Sequence, residues 1–241
     1  MRFRRAIFVP LCLTLSAWSQ LTYTVPVVDE SNPGSPLAIS GTASFTEFYT
    51  AKLVVSSGTF RIDARNVSGK SIILLAGCFD EAGPHGDGTH HVIQIDHFFW
   101  GQIAPGESFV LARGPTRRQT SALRQDSVEP AAEPNAKVKI AYVQFADGSN
   151  FGDEAAAQDA LRLRPVIFDA LQRLDGASNA QEFRSLLAQK IQPAGADEFL
   201  KTFRQTQRIH GTKMARSQVH VGLVVAEGRA PALLAAQTVQ K

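Results

Sequence analysis

The sequence predicts an α+β protein: an antiparallel immunoglobulin-like β-sandwich followed by a C-terminal helical segment. Two patterns carry this expectation. Between about residues 50 and 147, short runs rich in Val, Ile and Phe alternate with turn chemistry such as Ser57-Gly58, Ser68-Gly69, Pro105-Gly106 and Asp147-Gly148. That is how half-buried strands joined by tight turns are written. From Asp153 onward the apolar residues recur instead at three- and four-residue steps, as on one face of a helix.

The N-terminus comes first in chain order. Met1-Arg2-Phe3-Arg4-Arg5 precedes an apolar run from Ala6 to Trp18, and small residues Ala17 and Ser19 close it. A basic start, a short hydrophobic stretch and small residues at the −3 and −1 positions make a secretory signal peptide over residues 1–19. The expected location is therefore secreted or periplasmic. The run is too short, and too interrupted by Pro10, to remain as a membrane span.

Removing that peptide changes the charge. Of 25 basic residues, Arg2, Arg4 and Arg5 lie within it, and none of the 22 acidic ones does. The remainder is close to neutral, and the pI of about 9.0 belongs largely to the leader. A nucleic-acid binder needs a basic excess to neutralise phosphates, so that class is set aside. Cys12 leaves with the leader. Cys78 remains alone and has no partner for an internal disulfide.

Residues 20–49 include the Gly-, Pro- and Ser-rich stretch Asp29 to Ser44 and read as an extended arm or linker. The sandwich is expected over 50–152, with strands at Ala51–Val55, Thr59–Val67, Ser71–Phe79, His91–Phe99, Ser108–Ala112 and Lys137–Phe145. A polar stretch from Gly114 to Ala136 interrupts it and reads as a solvated or partner-docking loop. The helical region covers 153–241. Asp153 is the expected N-cap, Pro165 should kink or split the first helix, and Gly176 should end it. A second helix starts at Ser178 or Asn179, and a third after Pro193-Ala194-Gly195. Beyond Gly211 the alternation of Val219, Val221, Leu223 and Val225 suits a strand, while its flanks suit a helix.

Two short stretches carry a resemblance. Arg65-Asn66-Val67-Ser68-Gly69-Lys70-Ser71-Ile72 resembles the strand-turn-strand of small exported bacterial immunoglobulin-like domains. Ala141 to Asp153 resembles the last strand and helix start of exported bacterial proteins with a helical C-terminal half. The resemblance implies a sandwich followed by helices, and it assigns no catalytic residue.

The densest polar cluster runs from Asp80 to His91, followed by Asp96-His97, and holds four of the six histidines. Imidazole and carboxylate are ligands for zinc or copper. On one strand His91 and His97 stand about 20 Å apart at roughly 3.3 Å per residue, too far to share an ion. The loop members remain: His85 and His90 with Asp80, Asp87 or Glu81, on a backbone loosened by Gly83, Gly86 and Gly88. The alternative is a hairpin loop whose histidines are merely solvated. No other cofactor is implied.

Other motifs lead nowhere. Asp147 to Glu154 lacks calcium ligands at its fifth and twelfth positions, Phe151 and Gln158, and reads as a turn followed by a helix cap. Gly69-Lys70-Ser71 has Ala64 where a phosphate loop needs glycine. Cys78 could act as a nucleophile beside His91, though a lone strand cysteine more often packs as a small hydrophobe. The expected function is an exported, non-catalytic binding or envelope-associated module, with an envelope protein as partner. The alternative is a metal-binding protein or metal-dependent enzyme using loop 80–91.

Overall fold

The computed structural model describes residues 19–49, 53–84, 88–116, 119–122 and 133–238. Ten strands come first: β1 (Ser19–Pro26), β2 (Val28–Asp29), β3 (Leu37–Tyr49), β4 (Leu53–Asn66), β5 (Ile72–Ala82), β6 (Thr89–Asp96), β7 (Ser108–Pro115), β8 (Gln119–Ala122), β9 (Asn135–Phe145) and β10 (Asn150–Gly152). A 3₁₀ turn (Glu154–Ala157) then leads into α1 (Gln158–Asp175), α2 (Ala180–Ala188), α3 (Ala194–His210) and α4 (Thr212–Thr238). The fold is α+β, as its two sequence periods require.

The strands form two sheets. The first has the order β1-β3-β4-β7, with β8 also on β4, and is antiparallel throughout. The second has the order β10-β9-β5-β6, with β2 added parallel to β9. Ala43, Phe45, Phe60 and Ile62 of the first sheet share one core with Leu75, Phe79, Val138 and Ile140 of the second. The other face of the second sheet is covered by helices. Ile73 packs with Ile167, Leu171, Phe203 and Val219, and Leu74, Ala76 and Tyr142 pack with Ala157 and Ala160.

This three-layer arrangement explains Ile72-Ile73-Leu74-Leu75. All four are fully buried because β5 lies inside a sheet covered on both faces, where alternation gives way to a continuous apolar run.

Several expectations need correction. Residues 20–49 are not an arm: β1 forms one edge of the first sheet, and β3 lies inside it between β1 and β4, pairing with β4 along its whole length. The glycines misled here. A Cβ on Gly41 would stand 2.5 Å from the Arg61 carbonyl oxygen, and one on Gly58 2.2 Å from that of Ser44. Both are strand positions where backbones approach closely, so Ser57-Gly58 is mid-strand and not a turn. The strand expected over His91–Phe99 ends at Asp96. Within the polar stretch Gly114–Ala136, Gln119–Ala122 forms β8, and residues 123–132 lie outside the described set. Of the expected signal peptide over residues 1–19, residues 1–18 likewise lie outside it, and Ser19 opens β1.

In the helical layer Asp153 caps the 3₁₀ turn by accepting from the Ala155 amide, and Asn179 caps α2 by accepting from Gln181 and Glu182. Pro165 does not split α1. Buried Ala160 and Arg164 before it, and Ile167 and Leu171 after it, hold both halves to the same surface. The ambiguous tail is helical: Val219, Leu223 and Ala226 are buried at helical spacing, whereas Val221 and Val224 face outward. Arg229 fastens α4 to the segment after β6 by donating to the carbonyls of His97, Phe98 and Gly101. Among the described residues no helix is long and apolar enough to cross a membrane.

Candidate metal centre on the outer face of the second sheet

The site follows from a hairpin and a two-residue period. β5 and β6 pair antiparallel with Asp80 opposite His90 and Cys78 opposite Val92. Residues two apart on a strand share a face, so Cys78 and Asp80 point the same way, with His90 alongside. This is the face that carries helices farther along the strands; at the hairpin end Asp80 and His90 are exposed and Cys78 is half-buried. His90 Nδ1 lies 2.7 Å from Asp80 Oδ1, and Cys78 Sγ is 4.0 Å from Asp80 Oδ2. One ligand atom from each of the three residues falls within 4.8 Å of the other two.

Donors sharing a tetrahedral zinc stand roughly 3.3–3.7 Å apart, given bonds of about 2.0–2.3 Å. The two spacings to Asp80 lie on either side of that range, and all three donors fall within 4.8 Å, a separation compatible with one shared ion. Burial, and then the Asp80 carboxylate, push the Cys78 thiol above its ordinary value, while Lys139 pulls it down. The free thiol therefore holds its proton, and a metal must displace it. A thiolate in the set suits zinc or copper(I), whereas calcium and magnesium prefer oxygen alone.

Of the residues the loop reading singled out, His90 and Asp80 are brought together. His85 and Asp87 lie outside the described residues. Glu81 leaves the set: it faces the sandwich interior, where its Oε1 sits 3.0 Å from His91 Nε2. Cys78 joins instead. Its pairing with His91 as nucleophile and base is wrong, because His91 is on the opposite face of the sheet, packed against the rings of Phe60 and Phe79. The missing signal was hairpin register. The hairpin register pairs Asp80 with His90, and Cys78 follows two residues back on the same face.

Glu81 carries its own consequence. Among the described residues its buried Oε2 has no hydrogen-bond partner, and burial outweighs the opposing pull of His91, so the carboxyl titrates above its usual range. An acid whose folded pKa is raised binds more protons folded than unfolded, so its ionisation destabilises the fold as pH climbs above the ordinary glutamate value. Glu81→Gln has no such charge. The variant's melting temperature relative to wild type should rise between pH 5 and pH 8. A relative fall over that interval would mean that His91 stabilises the ionised form.

A recess of about 410 Å³ elsewhere on the chain has Pro36, Val67, Phe145 and Phe151 on its walls beside Lys70. The Lys70 ammonium is already taken by Asp147 and Ser149, both at 2.8 Å, and holds the Asp147 carboxyl down to about 2. Asp147 also accepts from the backbone and hydroxyl of Ser149, so the run read as turn and cap has that role. Comparison with protein-family models, with curated proteins and with solved structures returned no match.

Proposed function

We propose that this chain is an exported, non-catalytic module that captures a zinc- or copper-class ion through Cys78, Asp80 and His90. The observation that carries the reading is the convergence of three different metal-ligating side chains, from adjacent strands, on one exposed sheet face. The raised thiol argues for capture over covalent catalysis, since a nucleophilic cysteine needs its pKa lowered. The basic-then-apolar pattern of residues 1–19 supports export. The strand order β10-β9-β5-β6 facing β1-β3-β4-β7, with the chain crossing between sheets after β1, β2, β4, β6 and β8, supports an immunoglobulin-like scaffold.

Elemental analysis and chelator competition on protein purified without a histidine tag test the proposal. One equivalent of zinc or copper is expected, with affinity falling at least about 100-fold in Cys78→Ser, more than the loss typical of a supporting outer-shell residue. Equal binding by wild type, Cys78→Ser and His90→Ala would overturn it.

A further inference from the structure

We propose that the ion held at Cys78, Asp80 and His90 keeps one coordination position for a small external oxyanion, a carboxylate or phosphate, positioned by Lys139. The inference rests on the metal reading above and names the ligand class of that site. Three protein donors leave a four-coordinate ion one ligand short, which is how zinc sites that accept a water or substrate are built. Cys78 and Asp80 come from β5 and His90 from β6, all rising from the same side of the sheet. The side chains of Asp80 and His90 are about half exposed, at 52% and 59%, so the fourth position opens outward.

The surroundings decide what fits there. Register places two rows across the face: Lys137, Asp80 and His90 in one, Lys139, Cys78 and Val92 in the next. Val92 is 76% exposed and offers no donor atom. A thiolate and a carboxylate neutralise a divalent ion, so the charge beyond them comes from the lysines. Lys137 is committed to Glu30 at 2.7 Å. Lys139 stands directly opposite Cys78, is exposed, and makes no ion pair among the described residues. A neutral metal centre beside a single uncommitted ammonium favours an anion over a neutral or cationic ligand.

Cobalt(II) substituted into the full chain reports both steps, because its thiolate charge-transfer band marks Cys78 ligation and its visible bands follow the fourth ligand. Titration of the loaded protein with acetate and with inorganic phosphate should give a saturable shift of the visible bands. Lys139→Gln should weaken that titration about five- to tenfold, the worth of one nearby charge in a solvated setting, with Lys137→Gln close to wild type. Absence of the thiolate band would overturn the metal reading and this inference with it. A thiolate band with visible bands unmoved by either anion would overturn this inference alone, the fourth position then belonging to another protein group. A shift equally strong in Lys139→Gln would refute the part given to Lys139.

Discussion

Replacing Arg164 by alanine is expected to lower the melting temperature by about 6–20 °C, the largest effect of any single substitution considered. Arg164 lies on α1 yet reaches into the second sheet. Its Nε and Nη2 donate to the two oxygens of Asp96 at 2.9 Å each, and its Nη1 donates to Gln144 Oε1 at 2.7 Å. Its guanidinium lies over the Phe98 ring, 4.5 Å from the centroid. The arginine is 6% exposed and Gln144 5%, so water is poorly placed to replace either bond.

Truncation leaves a half-buried carboxylate, an unpaired amide oxygen and a void against Phe98. Breaking a buried pair by removing one partner costs about 3–5 kcal/mol. At about 2–4 °C per kcal/mol for a chain of this size, the quoted range follows. The double variant Arg164→Ala/Asp96→Ala should recover part of the loss, because it no longer strands a charge. A shift below about 1 kcal/mol in the single variant would show that the network is solvated after all, and that apolar packing alone joins helices to sheet.

That network shows where sequence reading stops. α1 was visible from its apolar period, but Arg164 sits among polar neighbours beside Pro165, and nothing local says that it turns inward. Its partners stand 68 and 20 residues away in the chain. The face of the sandwich that the helices cover was hidden for a related reason. Ile72 to Leu75 announced a strand buried on both faces, yet the helices that bury its second face could be placed only by the tertiary fold. Gly41 and Gly58 look like loop and turn residues in the sequence because composition cannot distinguish a glycine needed for a turn from one needed for close backbone approach. The proposed metal cluster was half legible. Asp80 and His90 stood out by type, whereas Cys78 needed strand register to be seen.

The register also leads to the second large effect: metal affinity should rise about 100-fold between pH 6 and pH 8 from Cys78 alone. The sign follows from the thiol. Metal binds the thiolate, and burial followed by Asp80 raises the Cys78 pKa above its ordinary value, with only Lys139 opposing. Throughout this interval the free protein therefore carries the proton and the complex does not, so each binding event releases one. Affinity then climbs about tenfold per pH unit, a slope that a site of carboxylates alone would lack in this range. Chelator competition at four pH values measures it, and calorimetry in two buffers of different ionisation enthalpy counts the proton directly. Cys78→Asp supplies a donor already ionised at pH 6 and should lose one unit of slope while retaining weaker binding. If wild type and Cys78→Asp gave the same slope, the sulfur would not be a ligand, and the ion would be held by Asp80 and His90 without it.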